Sequence, residues 1–209
     1  MRAALVVVIA ALSLTACTSE AEPPAASGAS APVIVPGRPG EQARTVGPSE
    51  AATIVPTDTA NAADVTYVRN MVVHHRQALD MAALAPTRGE HTRLKGLASR
   101  IKDTQGPEIQ FMISWLQQQG VSAPDHHARH EGMAGMATPE QMEALKAASG
   151  KDFDRLFIKL MTAHHLGAIT MSEKLLVSGS HQRIEELAND VSVTQSAEIR
   201  RMREMEAEL

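Results

Sequence analysis

The chain has 209 residues, with 20 Lys and Arg against 24 Asp and Glu and a formal net charge of −4. That mildly acidic balance excludes the broad basic footprint that nucleic-acid phosphates require. Aromatic residues at 2% and 11 Met favour packed helices over a β-sandwich, and a single Cys excludes an intramolecular disulfide and a thiolate zinc finger.

Residues 1–16 read as an export signal, with Arg2 as the positive start and Ala3 to Leu14 as an apolar run. The run is too short to span a bilayer comfortably. It ends in Leu14-Thr15-Ala16-Cys17, which resembles the bacterial lipobox. The resemblance implies cleavage before Cys17 and a lipid on its sulfur, which anchors the protein to the membrane on the extracytoplasmic side. Residues 17–60 are rich in Ala, Pro, Ser, Gly and Thr and lack sustained apolar periodicity. Such a segment buries too little surface to offset its ordering entropy and is expected to be a disordered tether.

Residues 61–209 read as one domain. A first helix is predicted from about Asp64 to Leu84, stopped by Pro86, and a second from about Thr92 to Gln119, with a kink or break at Gly106-Pro107. Residues 120–137 form a polar loop rich in Gly and His. Thr138, Pro139 and Gln141 form a capping signal for a short helix closed by Gly150. Two further helices follow, about Asp152 to Ser178 and Gln182 to Glu208.

The segment Met71-Val72-Val73-His74-His75-Arg76-Gln77-Ala78-Leu79-Asp80-Met81 returns ninety residues later as Met161-Thr162-Ala163-His164-His165-Leu166-Gly167-Ala168-Ile169-Thr170-Met171. The same offset aligns Asp64 with Asp154, His91 with His181, Gln105 with Gln195, Glu108 with Glu198 and Met112 with Met202. One unit is a helical hairpin (64–119, then 152–208) that cannot bury its apolar face alone, whereas two together can. The expected fold is all-α: a four-helix bundle of two repeated hairpins with approximate two-fold symmetry.

Helical spacing directs His74, His75, His164 and His165 into the interior, along with Gln105, Glu108, Gln195 and Glu198 from the middle of apolar stripes. Each such group left unsatisfied costs ~1–3 kcal/mol, against a domain stability of ~5–15 kcal/mol. They must therefore pair with each other, hold water or bind something. Met71 and Met161 precede their His pairs by three and four residues, so each sulfur can share an ion with those imidazoles. Met81, two turns from His74, belongs to another layer or to plain packing. A His/Met set favours a copper ion, especially the cuprous one. Glu108 and Glu198 offer instead a harder site for zinc or iron, or act as acceptors for imidazole N–H groups. Neither Glu is followed by a His three residues on, as bundle di-iron sites usually require. A second candidate site is the loop, where His126, His127, His130, Met133 and Met136 lie close together. His91 and His181 read as capping or surface residues, and Tyr67, Phe111, Trp115 and Phe157 as core.

The repeated His-His helix, the Gly132-Met133-Ala134-Gly135-Met136 loop running into Thr138-Pro139-Glu140-Gln141-Met142, and the Ala148-Ser149-Gly150 lead-in to Phe153-Asp154 resemble the domain-of-unknown-function 305 family. So do Gln105-x-x-Glu108-Ile109 and Gln195-x-x-Glu198-Ile199. The resemblance covers about residues 60–209. It implies a ferritin-like bundle in an exported bacterial protein, and its paired histidines carry over to His74, His75, His164 and His165. Several members are associated with copper binding and tolerance. Leu166 departs from the pattern, since members often carry Glu after the second His pair, and Pro107 disturbs the symmetry beside Glu108.

The functional expectation is a membrane-tethered extracytoplasmic metal-binding protein that buffers, chaperones or gives tolerance to copper. The alternatives are a protein-interaction module with a structural polar core and a ferritin-like metalloenzyme. No catalytic constellation is recognisable, and no particular protein partner is indicated.

Overall fold

The computed structural model describes residues 32–35, 42–54, 59–125 and 132–209. The chain divides into two units, residues 1–55 and 56–209.

In the first unit, β1 (Val33–Val35) pairs antiparallel with β2 (Arg44–Val46), with Val33 opposite Val46 and Val35 opposite Arg44. Helix α1 (Pro48–Ile54) follows. This is local order within the segment expected to be a structureless tether. The β-branched runs Val33-Ile34-Val35 and Thr45-Val46 supply it, since such side chains favour extended backbone. Val46 and Ala51 are buried.

The second unit is the predicted all-α bundle: α2 (Ala62–Arg88), α3 (Thr92–Gln118), α4 (Pro139–Ala147), α5 (Gly150–Ser178) and α6 (Gln182–Glu206). The hairpins α2–α3 and α5–α6 pack through α2 against α5 and, more lightly, α3 against α6, while α4 rests on α2 and α5. Neither proline breaks its helix. Helix α2 continues past Pro86 to Arg88, and α3 runs unbroken through Pro107. Both prolines lie on exposed positions, where water can take the carbonyl that a missing N–H leaves behind. The α2 start also lies earlier than predicted: Asn61 accepts from Ala63 N and Asp64 N, and Asp64 accepts from Asn61 N, completing a capping box. The Thr138/Gln141 capping box of α4 forms as expected.

The core consists of two apolar clusters. One contains Met81, Leu94, Leu97, Ile101, Phe157 and Met161, the other Tyr67, Met71, Met112, Trp115, Ile184 and Leu187. Each draws on both hairpins, so neither hairpin completes a core by itself. The turns are tied across the repeat as well. Buried Asp154 of α5 accepts from the backbone N–H groups of Glu90 and His91, at 3.2 and 2.8 Å, in the α2–α3 turn. Buried Asp64 of α2 accepts from the backbone N–H of Ser180, at 3.3 Å, in the α5–α6 turn. A Cβ on Gly89 would lie 2.9 Å from Asp154 Oδ1, and one on Gly179 would lie 2.8 Å from Asp64 Oδ1. Both glycines have negative φ, −72° and −70°. They are needed for room beside the carboxylates, not for backbone freedom.

Candidate metal centre

Between the two clusters lies a polar layer. His74, His75, His164 and His165 are all fully buried. The rings of His74 and His164, one from each repeat, stack with centroids 3.7 Å apart and planes tilted by 34°. Two imidazolium ions could not be held so close in a dry interior. The His164 pKa is accordingly well below its ordinary value, first because burial disfavours the cation and then because His74, His165 and His75 lie near it. A neutral imidazole is the form that binds a metal.

The outer histidine of each pair meets a carboxylate from the partner helix of its own hairpin. His75 Nε2 lies 2.7 Å from Glu108 Oε2, and His165 Nε2 lies 2.7 Å from Glu198 Oε2. A carboxylate can only accept, which places a proton on Nε2; in a neutral ring the lone pair is then on Nδ1. Glu108 and Glu198 therefore stand as acceptors for imidazole N–H, one of the two roles expected of them. His74 Nε2 donates to the Ala134 carbonyl at 3.2 Å.

Ala134 is held there by a residue the sequence did not single out. Gln77 clasps Ala137 twice, its Nε2 donating to the carbonyl at 2.8 Å and its Oε1 accepting from the N–H at 2.7 Å. The repeat-equivalent position is Gly167, and its lack of a side chain admits the same loop, since a Cβ there would lie 2.0 Å from the Ala134 carbonyl oxygen. Gly135 has φ +76°, and a Cβ on it would lie 2.3 Å from the Ala163 carbonyl oxygen. This glycine serves backbone docking on α5 and a left-handed turn. The signal for this contact was present as the Gln77/Gly167 mismatch within an otherwise matched repeat.

Several buried atoms of the layer have no hydrogen-bond partner: Nδ1 of His75 and of His165, both ring nitrogens of His164, and both carboxamide atoms of Gln105 and Gln195. At ~1–3 kcal/mol each, they form a concentrated set of unmet polar atoms, of which the imidazole nitrogens and carboxamide oxygens could coordinate an ion. Met71 and Met161 are fully buried, each in a different apolar cluster beside the layer. Met81 packs in the cluster of Met161. Among the described residues no three His, Cys, Asp or Glu side chains converge as a ready metal-holding group. A coordination sphere here would thus need a Met sulfur, a glutamine or a shift of side chains.

Of the loop candidates, Met133 and Met136 are half-buried, while His126, His127 and His130 lie outside the described residues, as does Cys17. No helix among the described residues is long and apolar enough to cross a membrane. His181 takes the N-cap position of α6 through its backbone carbonyl alone, and it is not a surface group: it is buried, and Trp115 Nε1 donates to its Nε2 at 3.3 Å, with the rings at 90°. Its position at the helix start suggested a cap, but its ring turns inward onto the indole. His91 is partly exposed and pairs with Glu208 at 3.3 Å. Tyr67, Trp115 and Phe157 are core as expected, while Phe111 is partly buried under Arg183, whose guanidinium carbon lies 5.2 Å from the ring. Leu166 is 47% exposed, so the position where it departs from the family pattern faces away from the polar layer.

Residues 64–206 match the sequence profile described as "Domain of unknown function (DUF305)". The chain belongs to the DUF305 family. A DUF305 protein of Streptomyces coelicolor, assigned as secreted, is 31% identical at a TM-score of 0.65, over 70% of this chain and 93% of that one. A DUF305 fragment from Deinococcus radiodurans is also 31% identical, at a TM-score of 0.66, over 72% of this chain and 99% of that one. CopM in its Cu(II)-bound form is 34% identical at a TM-score of 0.62, over 69% of this chain and 96% of that one. CopM is similar to this chain in Cu(I)-bound and Ag-bound forms as well. No curated protein matches the chain.

Proposed function

We propose that this DUF305 protein is an exported, lipid-anchored metal-binding protein that buffers or hands on copper outside the cytoplasm. The observation that carries the reading is the polar layer: four fully buried histidines brought together from two repeats, with ring nitrogens of His75, His164 and His165 and the carboxamides of Gln105 and Gln195 left unsatisfied. The donors are imidazole and thioether, which suit cuprous copper or silver better than a hard cation. The resemblance to CopM, known in Cu(II)-, Cu(I)- and Ag-bound forms, points to the same class of ion. Cys17, within the lipobox-like Leu14-Thr15-Ala16-Cys17, supports export and anchoring. His74 and His164 would hold the ion at the repeat interface, His75 and His165 would bring in Nδ1 with their orientation set by Glu108 and Glu198, and Met71 and Met161 would supply sulfur. No turnover is required.

The test is equilibrium titration of tag-free protein with Cu(I) and Cu(II), beside a variant with His74, His75, His164 and His165 changed to Ala. Tight binding by the native chain and weak binding by the variant is the expected result; equal weak binding by both would sink the core site.

One observation favours a second reading, a purely structural polar core. His75 and His165 each already bond a carboxylate, and no three-residue metal group is formed among the described residues. The two readings separate by melting temperature. A ligand at a hundred times its Kd stabilises the folded state by about 2.7 kcal/mol, whereas a structural core is indifferent to copper and to chelator.

A further inference from the structure

The two His–Glu pairs match in length and sequence spacing, yet their surroundings differ. Beside the first pair, Tyr67 Oη and Ser172 Oγ, both buried, meet at 2.9 Å. Burial pushes the Tyr67 hydroxyl above its ordinary pKa, the Ser172 bond opposes this, and nearby Glu108 adds to it. At the repeat-equivalent places stand Phe157 and Ala82, both fully buried and without a polar atom in the side chain. The carboxylates diverge in the same sense: the Glu108 side chain is 18% exposed and that of Glu198 only 4%.

We propose that the interior contains two inequivalent half-sites, one around His75 and Glu108 that exchanges a soft monovalent ion with solvent, and one around His165 and Glu198 that retains it. This rests on the metal-binding reading above. An ion entering a protein must trade its water for protein atoms without a gap, because bare charge in an apolar medium is costly. On the first side, the solvent-touching carboxylate of Glu108 and the hydroxyl pair of Tyr67 and Ser172 provide a stepwise trade. On the second side the corresponding wall is a phenyl ring and a methyl group. The backbone of residues 134–137, docked on α5 and clasped by Gln77, bonds the His74 ring, while Glu108 keeps the more exposed carboxylate of the two.

The experiment uses the full tag-free chain loaded with Cu(I) and challenged with excess bicinchoninate, the release being followed by absorbance. Two kinetic phases are expected. Glu108→Gln slows the fast phase about tenfold, the rate equivalent of one lost charged hydrogen bond, and leaves the slow phase in place; Glu198→Gln changes the slow phase alone. Tyr67→Phe with Ser172→Ala installs in the first half the side chains that stand in the second, so it merges the two phases without emptying the core. In the metal-free protein, the Nε2 proton of His75 exchanges with solvent faster than that of His165, as read by NMR. Copper uptake no greater than in the four-His variant overturns this proposal together with the metal-binding function. Normal uptake with a single release phase, or with equal proton exchange at His75 and His165, overturns this proposal alone.

Discussion

The turns of this bundle and its centre both bury charged or strongly polar side chains, and they treat them differently. At the turns, Asp64 and Asp154 are fully buried, and each accepts backbone N–H groups of the opposite hairpin. At the centre, His164, Gln105 and Gln195 are equally hidden and have ring or carboxamide atoms with no hydrogen-bond partner. A satisfied buried polar group contributes to stability and to a unique docking geometry, whereas an unsatisfied one costs free energy in the folded state. The turns therefore hold the hairpins together, whereas the centre carries polar groups that cost free energy unless something pairs with them.

The comparison can be broken most directly at the turns. Asp154→Ala should cost about 3 kcal/mol, because it removes the buried carboxylate that accepts from the N–H groups of Glu90 and His91; chemical denaturation measures it, and a loss below that of an ordinary surface substitution would show that the cross-hairpin cap is dispensable. Gly89→Ala acts on the same cap from the other side. Its Cβ would press on the Asp154 carboxylate, at a cost of about 2 kcal/mol typical of overpacking, with no change in copper affinity. An unchanged melting temperature would contradict the room argument.

The centre predicts a pH dependence that the turns do not. The His164 pKa is depressed in the folded chain relative to its ordinary 6.5, so below that pH the unfolded chain binds the extra proton. Its contribution to stability is therefore full above pH 6.5 and falls as pH drops below it, with a slope of at most about 1.4 kcal/mol per pH unit for one group. Melting curves of metal-free protein between pH 7.5 and 5, with and without His164→Gln, check this; a slope that survives the substitution would assign it elsewhere. The smallest expected effect has the opposite sign. Gln105→Leu or Gln195→Leu removes an unsatisfied carboxamide without adding a sulfur donor and should stabilise the metal-free protein by about 1 kcal/mol. A destabilising result would show that the carboxamides are satisfied by ordered water.

Much of this was legible in the chain. The ninety-residue repeat, the interior direction of the four histidines, and the pairing of Gln105-x-x-Glu108 with Gln195-x-x-Glu198 followed from spacing, because a helix fixes which residues share a face. What escaped notice depended on contacts between elements distant in sequence. Gln77 looked like an ordinary polar residue until the loop returned sixty residues later to meet it. Asp64 and Asp154 matched across the repeat, yet that each caps the other hairpin's turn required the hairpins to be docked. Pro86 and Pro107 read as breaks because the cost of a missing N–H was counted without knowing that both face water.

Sequence alone determined the class of fold, the duplicated constellation and the kind of donor atoms in it, since periodicity and side-chain chemistry are local properties. Only tertiary structure decided that His74 and His164 stack across the repeat axis, that Glu108 and Glu198 bond the outer histidines, and that Glu108 is more exposed than Glu198. Those outcomes depend on which surfaces the two hairpins bury against each other. The Met71-x-x-His74-His75 segment and its copy are thus alike as sequences and unlike in their surroundings.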